Sequence, residues 1–168
     1  MILRPCDGTI VHRRRDGCLT PAGRVPTEPA LESLAEYLAV KKQNPDVLRK
    51  LKTLHQKMCE LAQEGKVSAY INLNRKFHAT LIHASENKRL IELINTFDKQ
   101  TLRYRIEAYT APGWMNESIR IHEAHIHAFE SGDAKLAEKM RKKTILKQVK
   151  RFSHKFSGRK KDTRLTSK

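Results

Sequence analysis

From Pro29 onward, apolar residues recur three or four positions apart in six consecutive segments and nowhere alternate strictly. That spacing aligns side chains along one face of a helix and is wrong for a strand. Leu31, Leu34, Ala35 and Leu38 form the first stripe, and Leu48, Leu51, Leu54, Met58 and Leu61 the second. The third runs over 67–84 through Ala69, Tyr70, Leu73, Phe77, Leu81 and Ile82. The fourth carries Leu90, Ile91, Ile94, Phe97, Leu102 and Ile106. A fifth is expected over about 116–130 and a sixth from Asp133 to about Phe152. The breaks between them are local chemistry. Pro45 suits the first turn of a helix, Gly65 a helix end, Pro112-Gly113 a turn, and Asp133 an N-cap. Six helices joined by short loops predict an all-α antiparallel bundle.

The 168 residues suffice for one domain with flanks, and 39% of them are hydrophobic, enough for one modest core. No apolar run approaches the roughly 18 residues of a membrane helix, and the N-terminus has no continuous apolar segment of a secretory signal. A cytoplasmic protein without a membrane partner is expected. Three cysteines, at positions 6, 18 and 59, make no disulfide framework. Cys6, His12 and Cys18 contain no C-x-x-C pair and do not read as a zinc knuckle.

Net charge is +16, and it is uneven. Residues 1–26 hold five basic and two acidic residues, and 141–168 hold twelve basic residues against Asp162 alone. A nearly balanced body thus carries two basic ends, which attract polyanions or keep the chain solvated. The expected organisation is an irregular basic segment at 1–26, a helical domain at 27–152 and a basic flexible tail at 153–168. In that tail Phe156 stands alone, without the aromatic interleaving of a single-strand stacking surface.

Several pieces, in order and in register, resemble the FCD (FadR C-terminal) effector-binding domain of GntR-family transcription regulators. Ala30-Leu31-Glu32-Ser33-Leu34-Ala35 is similar to its opening helix, and Pro45-Asp46-Val47-Leu48 to its second. Asn74-Arg75-Lys76-Phe77-His78 resembles its D-x-x-F-H element, and Ala84 to Leu90 its A-x-x-N-x-x-L turn. His122, followed by Gly132-Asp133 and Ala137, resembles the last two helices. The resemblance covers about 27–150. The family places a winged helix-turn-helix before this bundle. Residues 1–26 are too few for one and are expected to be at most a remnant of it. Gly17-Cys18-Leu19-Thr20-Pro21 faintly resembles its opening.

What the resemblance implies is a small-molecule effector, a carboxylate or similar metabolite, bound inside a homodimeric regulator's sensor domain. In the family an Asp and three His from three helices line the core and often hold a divalent metal, which grips the effector's carboxylate. The positions here are Asn74, His78, His122 and Thr144. Asn74 replaces the Asp and Thr144 the last His, so His78 and His122 remain as ligands for zinc or nickel. His125 is a further candidate, three residues after His122. Arg103 or Arg105 on the fourth helix can face an anion. The alternative is that His78 and His122 are hydrogen-bonded polar residues of the interior, or line a metal-free pocket. His83 and His127 are expected at the surface, and Trp114 is expected to pack its loop.

Enzyme activity is not expected. There is no nucleophile motif or phosphate loop, and His122-Glu123-Ala124-His125 is one residue short of H-E-x-x-H. The competing function is nucleic-acid association through the basic C-terminal tail, with DNA a partner only through that tail or a DNA-binding module.

Overall fold

The computed structural model describes residues 27–108 and 112–159, with side chains described for 29–98 and 112–147. Six helices and no strand are present among the described residues: α1 (Thr27–Lys42), α2 (Pro45–Gln63), α3 (Val67–Ala84), α4 (Lys88–Ala108), α5 (Trp114–Glu130) and α6 (Ala134–Arg159). The all-α bundle read from periodicity is the fold observed. Residues 1–26, with Cys6, His12, Cys18 and any remnant of a DNA-reading module, lie outside the described residues.

The helix ends follow from local chemistry. Asn44 caps α2 by accepting the Asp46 N–H at 2.9 Å, with Pro45 in the first turn. Asn87 Oδ1 accepts the Leu90 N–H at 3.1 Å at the start of α4. Between α5 and α6 the chain turns at Gly132, whose φ of 68° is one that few other residues adopt. The Asp133 N–H then reaches back to Ala128 C=O at 3.1 Å, and Asp133 Oδ1 accepts the Leu136 N–H at 2.9 Å. Asp133 is thus the N-cap expected.

α1 is central: it packs chiefly on α6 and also on α3 and α4, while α2 packs on α3 and α5. The main core lies where Leu51, Met58, Tyr70, Phe77, Leu81 and Phe129 meet, all fully buried or nearly so. Tyr70 sets its ring edge-on to Trp114 at 5.3 Å and donates its hydroxyl to Met115 C=O at 3.3 Å. A smaller cluster of Ala35, Leu90 and Ile94 fills the α1–α4 contact.

Three details differ from the sequence reading. α5 opens at Trp114 rather than Asn116, directly after the left-handed Gly113. α6 continues past Phe152 to Arg159, so the segment expected as a tail begins as helix. Its lysines, arginines and leucines favour helix, and no Gly or Pro interrupts it before Gly158. The buried face of α1 is also rotated from the expected stripe. Leu34 is 42% exposed, whereas Glu32, Ser33, Glu36, Ala39 and Val40 are buried. With neighbours on several sides, α1 turns its small and polar side chains inward.

Candidate functional site

The interior holds a band of buried and half-buried polar side chains beside the apolar core. Asn74 and His78 lie one turn apart on α3; Ser118, His122 and His125 lie on α5; Arg141 and Thr144 on α6; Glu32 and Glu36 on α1. Helical spacing of three and four places each set on one face. Asn74, His78, His122 and Thr144, the four positions singled out from the sequence, all line one small cavity of about 30 Å³. Trp114, Ser118 and Ile121 complete its wall, and a Lys147–Glu117 ion pair at 2.6 Å crosses its rim. That volume is room for about one water.

The two expected histidines meet directly. His122 Nε2 is 3.2 Å from His78 Nε2, and the Phe77 ring covers His122 at 4.4 Å between centroids. Ser118 donates its hydroxyl to Asn74 Oδ1 at 3.4 Å. Burial, reinforced by neighbouring His125, His55 and Arg141, holds the His122 imidazole well below its usual pKa of 6.5, so it is neutral at pH 7. Burial likewise raises the Tyr70 hydroxyl to about 12.

Sequence reasoning did not find Arg141, Glu32 and Glu36. Arg141 is 4% exposed and its Nη2 donates to Glu32 Oε2 in a buried ion pair. Its Nε is 3.9 Å from Glu36 Oε1, and its Nη1 lies 3.4 Å from His78 Nε2. His125 stands edge-on to His78, 6.2 Å between ring centroids, and turns its Nδ1 toward α1. Its Nδ1 is 2.9 Å from Glu36 Oε2, close enough for an ion pair though off the hydrogen-bond direction. Two carboxylates face one guanidinium, with the His125 imidazole beside the second of them. The only sequence signal was Glu32 and Glu36 one turn apart, with Arg141 one turn before Thr144.

These residues do not fit a divalent metal. The 3.2 Å spacing of the two Nε2 atoms is compatible with two ligands of a tetrahedral ion, whose nitrogens stand about 3.3 Å apart. The third and fourth positions are Asn74 and Thr144, which carry no charge. Among the described residues no three His, Cys, Asp or Glu groups converge on a point. Arg141 also occupies the flank of His78, and a guanidinium only donates.

A larger groove of about 590 Å³ opens between α3 and α4 and shares Asn74 and His78 with the small cavity. Arg75, Lys76 and His83 stand at its polar side, with Asn72, Asn95 and one acid, Asp98; Ala79, Ile82 and Ile94 give it an apolar strip. Arg75 and Lys76 have no acidic partner among the described residues. His83 and His127 are exposed as expected, and Trp114 packs on Tyr70 as expected while also facing the small cavity. The side chains of Arg103 and Arg105 lie outside those described.

The FCD domain family model matches residues 29–145, most of the chain and all of this polar band. The chain belongs to the FCD-domain family. No curated protein matches it significantly. FCD domains are found in regulatory proteins, and in GntR-family regulators the FCD domain is the effector-binding domain. No helix among the described residues is long and apolar enough to cross a membrane.

Proposed function

We propose that this FCD domain is the ligand-sensing part of a GntR-type transcription regulator, and that its effector is a small organic acid. The observation that carries this reading is the α3–α4 groove ending on Asn74 and His78. Its volume lies within the range of small-molecule sites. The unpaired Arg75 and Lys76 attract a carboxylate, the asparagines orient it, and Ile82 and Ile94 take a short apolar chain. A ligand seated there touches the same Asn74 and His78 that wall the buried cavity, so occupancy is felt by α5 and α6. Pairing with a second copy, as in the family's regulators, would carry that change onward.

Trp114 is the chain's single tryptophan and faces that cavity, which makes its emission the readout. Titration with a panel of small mono- and dicarboxylates is expected to give a saturable change with at least one acid. Arg75→Glu with Lys76→Glu is expected to weaken it by about tenfold or more, since two charge-assisted contacts are reversed. A response unaffected by that double change would overturn the assignment of the groove.

A second reading rests on α6. Lys135, Lys139, Lys142 and Lys143 are exposed at helical spacing and lead into the basic C-terminal residues. Such a stripe suits nucleic-acid phosphates. Binding to duplex DNA that weakens steeply with salt, and is lost on Lys139→Glu with Lys143→Glu, would support it.

A further inference from the structure

We infer that Arg141 is a built-in cation standing in the place of a metal, so that this sensor core works without one. The inference concerns the core behind the proposed effector groove and is tested without any effector.

A guanidinium has N–H groups and no lone pair, so the 3.4 Å approach of Arg141 Nη1 to His78 Nε2 requires that nitrogen to be the acceptor. His78 is then the tautomer protonated on Nδ1. His122 Nε2, 3.2 Å away, faces the same lone pair and therefore carries its own proton toward it. Both Nε2 atoms are thus engaged: that of His78 accepts from Arg141 and from His122, and that of His122 carries the donated proton. The two flanking positions, Asn74 and Thr144, offer no charge in compensation.

The acids lie on the other side of the guanidinium. Glu32 pairs with Nη2 and Glu36 stands 3.9 Å from Nε. This clamp comes from α1 and holds an α6 side chain against an α3 histidine, tying three helices at one point. A divalent ion bridging two imidazoles would tie helices in the same way, through a charge that the protein must acquire. Here the charge is encoded. Arg141 is accordingly a positioning residue for His78, fixing its tautomer and ring where the groove meets the cavity.

Metal binding to the 168-residue chain tests this directly. The wild-type protein, titrated with Co²⁺ and Zn²⁺, is expected to show no saturable site that depends on His78 and His122. Its unfolding midpoint is expected to be the same in Zn²⁺ and in EDTA. Arg141→Met removes the guanidinium that stands between His78 Nε2 and the two carboxylates. That variant is expected to gain a tetrahedral Co²⁺ absorption band and a Zn²⁺-dependent rise in midpoint. With free metal at about 100 times Kd the rise is roughly 5–10 °C. Both gains are expected to vanish when His78→Ala is added. Should Arg141→Met not fold, the same gains are expected in Arg141→Met combined with Glu32→Gln and Thr144→His, which buries less unpaired charge. A wild-type site lost in His78→Ala would overturn the inference. So would variants that fold and still bind no metal, because Arg141 would then not be what keeps the ion out.

Discussion

The two halves of the interior are equally buried and built on opposite principles. On the α2–α3–α5 side, Leu51, Met58, Tyr70, Phe77 and Phe129 meet through apolar contact. Where α1 and α6 meet the polar face of α5, Glu32, Glu36, Arg141, His122 and His125 are just as inaccessible and are held by charge and hydrogen bonding. Apolar burial is additive and forgiving, since each methylene contributes separately and neighbours can relax. A buried charge cluster is all or nothing, because every member left without its counterpart keeps the full cost of leaving water. The polar half therefore adds little net stability and much geometric definition. It lies where the groove and the cavity share Asn74 and His78.

The sharpest way to break that contrast is to take away Arg141. Arg141→Ala is expected to cost about 3–5 kcal/mol in chemical denaturation, because Glu32 and Glu36 lose their cation inside the protein. Replacing the set together, Arg141→Met with Glu32→Gln and Glu36→Gln, is expected to recover most of that loss. On the apolar side, Leu51→Ala is expected to cost about 2–5 kcal/mol, with no such recovery from changes at its neighbours. Equal non-additivity in both halves would erase the distinction.

Acidification separates the halves next. The folded protein holds His122 well below 6.5 by burying it. Above about pH 6.5 neither folded nor unfolded chain binds that proton. Below it the unfolded chain does and the folded chain does not, so stability falls. The slope is about 1.4 kcal/mol per pH unit until His122 is protonated in the native state. His122→Gln is expected to flatten this part of the pH profile, and an unchanged slope would assign the loss to other groups.

The smallest effect lies outside both halves. Asp133→Ala removes the cap of α6 and is expected to cost about 1 kcal/mol, without altering metal or acid responses.

How much of this could be read beforehand follows the same division. Helices appear in a sequence because apolar spacing and caps are local, and Asn44-Pro45, Gly65 and Gly132-Asp133 mark boundaries that the structure keeps. Asn74, His78, His122 and Thr144 were legible through the family resemblance, and they do line one cavity. The clamp was not legible. A Glu or Arg on a helix reads as a solvent residue, and only the tertiary placement of α1 against α6 turns Glu32, Glu36 and Arg141 toward one another. The same placement sends Leu34 outward, against its hydrophobicity, and sets His125 Nδ1 against Glu36. Pairings between residues more than 100 positions apart leave no trace in local periodicity.

Thermal unfolding of the 168-residue chain with a panel of small carboxylates, in EDTA throughout, tests the account most directly. The account predicts that at least one acid raises the midpoint in EDTA, and that Asn74→Ala or His78→Ala abolishes the rise. A rise that appears only when zinc or nickel replaces EDTA, or no rise with any acid, would contradict it.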